Sequence, residues 1–520
     1  MSFFAERWYA LPLLSGLLLV LAAPPFNIWP LVFAALAVLY WSITAYPRRT
    51  DKEIFLSGCI TAGLYMFSLY YLTLFQFEWL PGSENLILLI RAGIVPATLA
   101  AAGLLGAGLW VYRRLRTRHI ALNACIGGAV FLLFELPFAL FFQGYDPGEL
   151  AYVVAPAPFF LHMAVLGGTV FVSFAVAALA CCIAEGFTVW RAGLVRRDIL
   201  NAVFFAGSLA SVGLLGGFLV MPASPVVRTI SVAIPQPGAY ENILFGTMTA
   251  GTFSFPEFKT QFDPASFANA DYIFYPQSFF EGFIYTGAQS QSDAAAISQA
   301  QVGEWIGQTF PASAIIATWD SVYEGGGTFN EYEFWKGGTV VGMYQKQKLH
   351  FLDNTATWLG SIGLYQTRFF YDPGKEATGP IALGGISIGT PVCSEIMHDS
   401  IVSTQAKGAQ LLLSMTSEAG FIDDTANTIS LTAARYRAVE YGIPVVHADA
   451  VGPSALINPQ GVITAEAPWH THAVLSGTVS LYTVHLTPYA RFGATPLYLL
   501  LATLIGLAAG IRFLGKREQG

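Results

Sequence analysis

Ile386-Ser-Ile-Gly-Thr-Pro-Val-Cys393-Ser-Glu-Ile396 reads as a β-rich run over Ile386–Val392 that ends in a cysteine, with Ser394-Glu395-Ile396 opening a helix. A cysteine at a strand-to-helix turn sits beside backbone N–H groups and the positive end of a helix, and both favour thiolate over thiol. A thiol is ordinarily a small buried hydrophobe. The strand-end position and the isolation of this one argue instead for a site. Cys59, Cys125, Cys181 and Cys182 fall in strongly apolar blocks, and only Cys393 lies in the polar part of the chain. No second cysteine stands there to form an internal disulfide.

Outward from this turn, residues 226–490 alternate between strand and helix patterns. Arg228–Ile234, Tyr272–Tyr275, Ala314–Thr318, Gly338–Tyr344, Ile386–Val392, Gln410–Met415 and Pro444–Ala448 are β-rich. Asp293–Gln308 and Thr428–Tyr441 are helical, and Ser454–Ile463 reads as two strands around a Pro-Gln-Gly turn. Such alternation implies an α/β sheet covered by helices. Chemistry in sheets of this class sits at the carboxyl ends of strands. Tyr272-Ile-Phe-Tyr-Pro-Gln277 and Tyr344-Gln-Lys346 end in polar side chains, so Cys393, Lys346 and Gln277 are the candidate catalytic residues. Each has a plainer reading. Lys346 is a solvated charge with Lys348 as competitor, and Gln277 is a turn residue beside Pro276 with Glu281 as a spare carboxylate nearby. Glu395, beside Ser394, either lines the site as a substrate-binding residue or is a stabilising acid in a helix's first turn.

The remainder is a different material. The 520 residues are 54% hydrophobic and 11% charged, far below the roughly 25% charged of soluble chains, and mean hydropathy is +0.54. The apolar residues come in blocks near the ~20 residues that cross a bilayer: 8–24, 28–46, 54–76, 87–112, 119–142, 156–186, 199–221 and 494–514. The first is read as a span, not a cleaved leader, and Ala22-Ala23 is the feature that argues otherwise. Glu135 lies in the fifth block, near its outer end, where an ionisable group is either functional or hydrated. Lys and Arg alternate strictly between loops. Arg48, Arg49 and Lys52 follow block two, Arg113, Arg114, Arg116 and Arg118 follow block four, and Arg191, Arg196 and Arg197 follow block six. Arg512, Lys516 and Arg517 fill the tail, and the loops after blocks one, three and five carry no Lys or Arg. The positive-inside rule then places both termini in the cytoplasm and residues 226–490 outside. A net charge of −7 gives no basic stripe for nucleic acid. No Gly-rich phosphate loop and no internal repeat is present.

The Cys393 turn with Lys346 resembles the nitrilase superfamily, whose Glu-Lys-Cys set occupies such strand ends. Further segments narrow the resemblance to the apolipoprotein N-acyltransferases: Pro24-Pro-Phe-Asn-Ile-Trp-Pro30, Ile234-Pro-Gln-Pro237, Tyr344-Gln-Lys346-Gln-Lys-Leu349, Ala434-Arg-Tyr-Arg-Ala-Val-Glu440 and Thr487-Pro-Tyr-Ala-Arg-Phe-Gly493. The resemblance covers nearly the whole chain. It implies an eight-helix membrane bundle plus an α/β nitrilase-like α-β-β-α sandwich, divided as a seven-helix part over 1–225, a domain over 226–490 and a last helix and tail over 491–520. Departures are concentrated at the site. Pro276-Gln277 stands where the family has Pro-Glu, and glutamine accepts no proton at neutral pH. Asn354, beside Asp353, stands where the family has a second acid. Ser394 replaces the aromatic that usually follows the cysteine, and the family's later-loop Trp falls near Gly420.

The resemblance implies a two-step acyl transfer at the bacterial inner membrane. Cys393 attacks a phospholipid ester to give a thioester, with Lys346 and the Ser394 N–H at the oxyanion. The N-terminal amine of a diacylglyceryl-cysteine lipoprotein then takes the acyl chain. No metal or diffusible cofactor is needed. Two rivals stay open: a catalytically impaired relative that binds lipoprotein or lipid, for which Gln277 argues, and a membrane-tethered amidase whose thioester is resolved by water.

Overall fold

The computed structural model describes residues 7–69, 84–141, 149–193, 196–220, 225–238, 259–260, 262–276, 284–285, 297–324, 327–349, 371–374, 379–416, 424–483 and 486–517. Helices fall on the first seven apolar blocks, as α1 Ala10–Ala22, α2 Leu31–Thr44, α3 Asp51–Met66, α4 Glu84–Leu115, α5 Ile120–Phe141, α7 Pro158–Arg191 and α8 Arg196–Leu219, with short α6 Leu150–Val154 between blocks. Two stretches among the described residues, Pro158–Arg191 and Ile199–Leu219, are long and apolar enough on their own to cross a membrane. The apolar parts of α1, α2, α5 and the final helix are shorter.

Packing explains the composition. α7 runs through the middle, with 72% of its most apolar window buried, while the corresponding figure for α8 is 11%. Phe204, Phe218, Leu214 and Val203 of α8 face outward, as do Leu17 of α1 and Leu99 of α4. Exposed apolar surface on this scale marks a membrane or partner face. α7 is broken at Gly167 and Gly168, and Gly168 has φ +71°, a value that costs glycine little. α3 starts cleanly because Thr50 and Glu53 form a reciprocal capping box, which satisfies two end donors.

From Val226 onward the fold is two packed sheets. The strands are β1 Val226–Gln236, β2 Tyr272–Phe274, β3 Ile284–Tyr285, β4 Ile297–Ser298, β5 Ile315–Glu324, β6 Gly327–Lys336 and β7 Thr339–Gln345. Then come β8 Ile381–Leu383, β9 Ile386–Gly389, β10 Leu411–Thr416, β11 Val445–Asp449, β12 Ala455–Ile457, β13 Ile463–Glu466 and β14 Ala473–Tyr482. One sheet runs β14-β1-β2-β5-β3-β4 with β6 and β7 attached through β5; the other runs β13-β12-β11-β10-β9-β8. Their inner faces share a core of Val232, Phe274, Tyr332 and Tyr344 from the first sheet with Ile388, Leu413, Met415 and Val446 from the second.

Helix α9, Gln299–Thr309, covers the outer side of the first sheet through Val302 and Ile306. Helices α10, Asp399–Ala406, and α11, Thr425–Tyr441, cover the second. The result is α-β-β-α layering. α11 is buried along nearly all of its length, because its far side rests on the helical bundle. Tyr436 donates to Ala151 O at 2.6 Å, and Thr169 N, freed by the break in α7, donates to Glu440 at 3.0 Å. Short α12, Pro488–Phe492, and α13, Thr495–Arg517, close the chain.

Candidate active site

The site is built from the ends of β7 and β9. β7 alternates: Tyr344 is buried and turns toward the second sheet, Gln345 turns away, and Lys346, just past the strand, turns in again, 2% exposed. The backbone holds Lys346 on both sides, its N–H donating to Asn330 O and its carbonyl accepting from Gly374 N, each at 2.8 Å. β9 ends at Gly389. The next donor, Thr390 N, is satisfied by Gln405 at 3.0 Å, and a single bridge from Val392 to Met415 keeps the chain against β10. Cys393 then takes φ +51°. That region is unfavourable for a residue with a Cβ and is kept where surrounding contacts enforce it. A 3-10 turn, Cys393–Met397, follows at once.

One carboxylate joins the two strand ends. Glu395 has no exposure and accepts from Gln347 N at 2.7 Å, Lys348 N at 2.8 Å, Val392 N at 2.9 Å and the Tyr344 hydroxyl at 3.1 Å. Burial pushes its carboxyl up, against which the N–H groups of Lys348 and Val392, the Lys346 charge and the Gln347 N–H pull it down. Its acceptor capacity is spent on the turn and the lysine segment, so Glu395 holds these two segments together. Ser394, beside it, is 5% exposed. Tyr332 completes the floor, donating to Met415 O at 2.8 Å and accepting from Met415 N at 2.9 Å.

A second anchor reaches the turn from the bundle side. Arg437 of α11 donates to Ile396 O at 2.9 Å and Met397 O at 3.3 Å, and pairs with Glu440, the same carboxylate that caps Thr169 N. The cysteine turn is thus tied through two side chains to the break in α7. Burial pushes Glu440 up to about 8 and Arg437 pulls it back. His398, at the end of the turn, is driven down to about 3 by burial and by Lys348, Lys346 and Arg437. It is neutral at physiological pH.

Gln277, Glu281, Asp353, Asn354 and Gly420 lie outside the described residues; Tyr275 and Pro276, at the carboxyl end of β2, lie within them. Glu135 is buried and accepts from Leu150 N, the first N–H of α6, at 2.9 Å. No group of three or more metal-ligating side chains occurs among the described residues. The roles of Tyr332, Tyr344, Gln405, Arg437 and Glu440 are absent from the sequence reading. Arg437 and Glu440 carry a signal, an i,i+3 ion pair on a helix that is buried along nearly all of its length.

A model of the apolipoprotein N-acyltransferase N-terminal domain matches residues 15–182, and a carbon-nitrogen hydrolase model matches residues 313–489. An apolipoprotein N-acyltransferase of Rhodopseudomonas palustris is 24% identical over 98% of this chain and 95% of that one. The chain is similar to apolipoprotein N-acyltransferases along nearly its whole length. A member from Pasteurella multocida is 32% identical over 27% of this chain and 28% of that one. An amidase from Nesterenkonia sp. of known structure is 20% identical with a TM-score of 0.36, over 52% of this chain and 97% of that one. The family's N-terminal model falls on α1 to α7 and the hydrolase model on β5 to α12, so the Lys346 and Cys393 segments both lie inside the second match.

Two acids near Lys346 in sequence face away from it. Glu331 and Glu333 of β6 lie on the outer side with Gln345, where Glu331 accepts from Gln345 Nε2 at 2.9 Å and Glu333 from Gln299. Burial pushes Glu331 up to about 7, with Gln345 pulling it down and Glu324 pushing it further. The folded protein therefore keeps a proton that the unfolded chain loses near pH 4. The associated stability is complete below that pH and is lost as pH rises through about 7. Glu331→Gln is expected to flatten this dependence and to raise stability at pH 8 by about 2 kcal/mol, or about 4 °C in Tm. Melting curves of both proteins at pH 5 and pH 8 check it; equal pH dependence refutes it.

Proposed function

We propose that the protein moves an acyl chain from a phospholipid to the N-terminal amine of a diacylglyceryl-cysteine lipoprotein. The observation that carries the reading is the Glu395 carboxylate, which accepts from both the Lys346 segment and the Cys393 turn in a chain matched along almost its whole length by named apolipoprotein N-acyltransferases. Cys393, Lys346 and Gln277 are the catalytic positions. The Cys393 thiolate attacks the ester carbonyl, Lys346 and the Ser394 N–H stabilise the oxyanion, lysophospholipid leaves, and the amine displaces the thiolate.

Both substrates are lipid-anchored, which accounts for tethering an α/β domain to an apolar bundle. In this reading the eight helical blocks span the bacterial inner membrane, both termini are cytoplasmic, and residues 226–490 face outward. The outward apolar faces of α1, α4 and α8 support the span assignment. A reporter active only outside the cytoplasm is expected to be active when fused near Pro264 and silent after Lys516; the reverse pattern contradicts the orientation. For the activity, the purified full-length protein receives phospholipid with a labelled acyl chain and a diacylglyceryl-cysteine peptide. Label is expected on the peptide amine, with an equal amount of lysophospholipid. Label released only as free fatty acid identifies a hydrolase instead.

A further inference from the structure

Arg49 lies in the loop between α2 and α3. It is 7% exposed, and its Nε, Nη1 and Nη2 all lack a hydrogen-bond acceptor. A guanidinium stays charged at any physiological pH, and burying such a charge without an acceptor is strongly unfavourable. The Tyr46 ring, its centroid 5.0 Å from the guanidinium carbon, compensates in part. Two further buried donors beside it also lack acceptors, the Tyr46 hydroxyl and Trp41 Nε1, and the two rings lie 6.0 Å apart.

The nearby carboxylates are already engaged. Asp51 pairs with Arg114, Glu53 accepts from Thr50 N and Oγ1, and Glu185 accepts from Arg116, Tyr112 and Asn123. Arg113 adds positive charge, donating to Arg49 O and Pro47 O at 2.8 Å each. Arg48 and Lys52 flank the loop.

Depth in the membrane follows from α7. Thr169 N of that helix bonds Glu440 beneath the α/β domain, and Thr188 Oγ1 meets Thr44 Oγ1, at the end of α2, at 2.9 Å. The intervening turns span about 28 Å at 1.5 Å per residue, the thickness of a bilayer core. Trp41 packs on Phe187 and Phe187 on Trp190, at 5.5 and 5.6 Å, and Trp190 is exposed. An aromatic girdle of this kind sits at headgroup level.

We propose that Arg49, Tyr46 and Trp41 bind the phosphodiester of an anionic phospholipid at the membrane face opposite the α/β domain. The acceptor is a phosphate because a guanidinium, a phenol and an indole, all buried without acceptors in one cluster, match its several oxygens. The lipid carries net negative charge because the surrounding Lys52 and Arg113 repel a headgroup with its own ammonium. The site rests on the bundle spanning the membrane. It is remote from the donor lipid consumed at Cys393.

The test is native mass spectrometry of the full-length protein with phosphatidylglycerol, phosphatidylcholine or inorganic phosphate added in turn. The protein is expected to retain one phosphatidylglycerol and neither of the others. Arg49→Gln is expected to reduce retention by about 10–100-fold, the value of a charge-assisted hydrogen bond. Tyr46→Phe, which removes one hydroxyl and leaves the packing intact, is expected to weaken it by about fivefold. Arg48→Gln, at an exposed neighbour, should leave it unchanged. Equal retention by wild type and both site variants overturns the proposal, as does equal loss in Arg48→Gln. Binding of inorganic phosphate in place of lipid overturns the lipid assignment. Retention does not depend on which leaflet is involved or on acyl transfer, so reporter fusions and activity assays fail or succeed separately from it.

Discussion

Gln277→Glu is expected to speed transfer to the lipoprotein amine by about 10²–10⁴-fold, the usual contribution of a general base. In the proposed mechanism a carboxylate at position 277 would perform two proton transfers, taking the thiol proton in acylation and the ammonium proton in transfer. An amide at position 277 orients a neighbour and does neither. The two steps should suffer unequally. In the proposed mechanism the turn and the lysine segment favour the Cys393 thiolate without a base, whereas an incoming ammonium has no such help. The wild type is therefore expected to accumulate acyl-enzyme and to transfer slowly, and the variant to shorten the lifetime of that intermediate. Single-turnover measurement separates the steps. Brisk wild-type transfer, unchanged in Gln277→Glu, would place the base elsewhere, with Glu281 and Asp353 the carboxylates to examine; Glu395 is committed to four donors.

Lys346→Ala is expected to slow acylation of Cys393 by about 10²–10³-fold, the typical loss for one oxyanion donor. Because Lys346 is 2% exposed and its backbone is held by Asn330 and Gly374, its ammonium is presented with little freedom to wander. Truncation also removes the positive charge that holds Glu395 down. Lys348→Ala is the control. Lys348 contributes its N–H to Glu395, a contact alanine keeps, so acylation should change little. Equal losses in the two variants would mean that the lysine segment acts through structure alone.

Legibility in the sequence followed locality. Strands with uniform β-rich runs read directly: β9, β10 and β11 lie inside or within one residue of Ile386–Val392, Gln410–Met415 and Pro444–Ala448. β6 did not, because Asn330, Glu331 and Glu333 look like surface residues. They are buried only because Gln345 and Gln299 come from elsewhere to satisfy the two acids. Helix α9 begins at Gln299, not Asp293, and its start was written in the chain as Ser298 and Gln301, a capping box.

The cysteine turn was legible from composition and spacing, whereas the contacts that hold it were not. Glu395 takes donors from Gln347 and Lys348, well before it in the chain, and no local pattern encodes that meeting. The same holds for Arg437 reaching Ile396 and for Glu440 reaching Thr169. In the bundle, hydropathy located each long helix, missing only short α6, but not its function as a span. α1 and α2 are 13 and 14 residues long, shorter than a straight crossing requires.

The central claim, that Cys393 is the acyl carrier, is tested most directly by the mass of the Cys393 peptide after the full-length protein is incubated with phospholipid and no acceptor. One acyl group should be present on that peptide, removable by hydroxylamine and lost in Cys393→Ala. An unmodified Cys393 peptide, or label that persists in Cys393→Ala, would contradict the thioester mechanism.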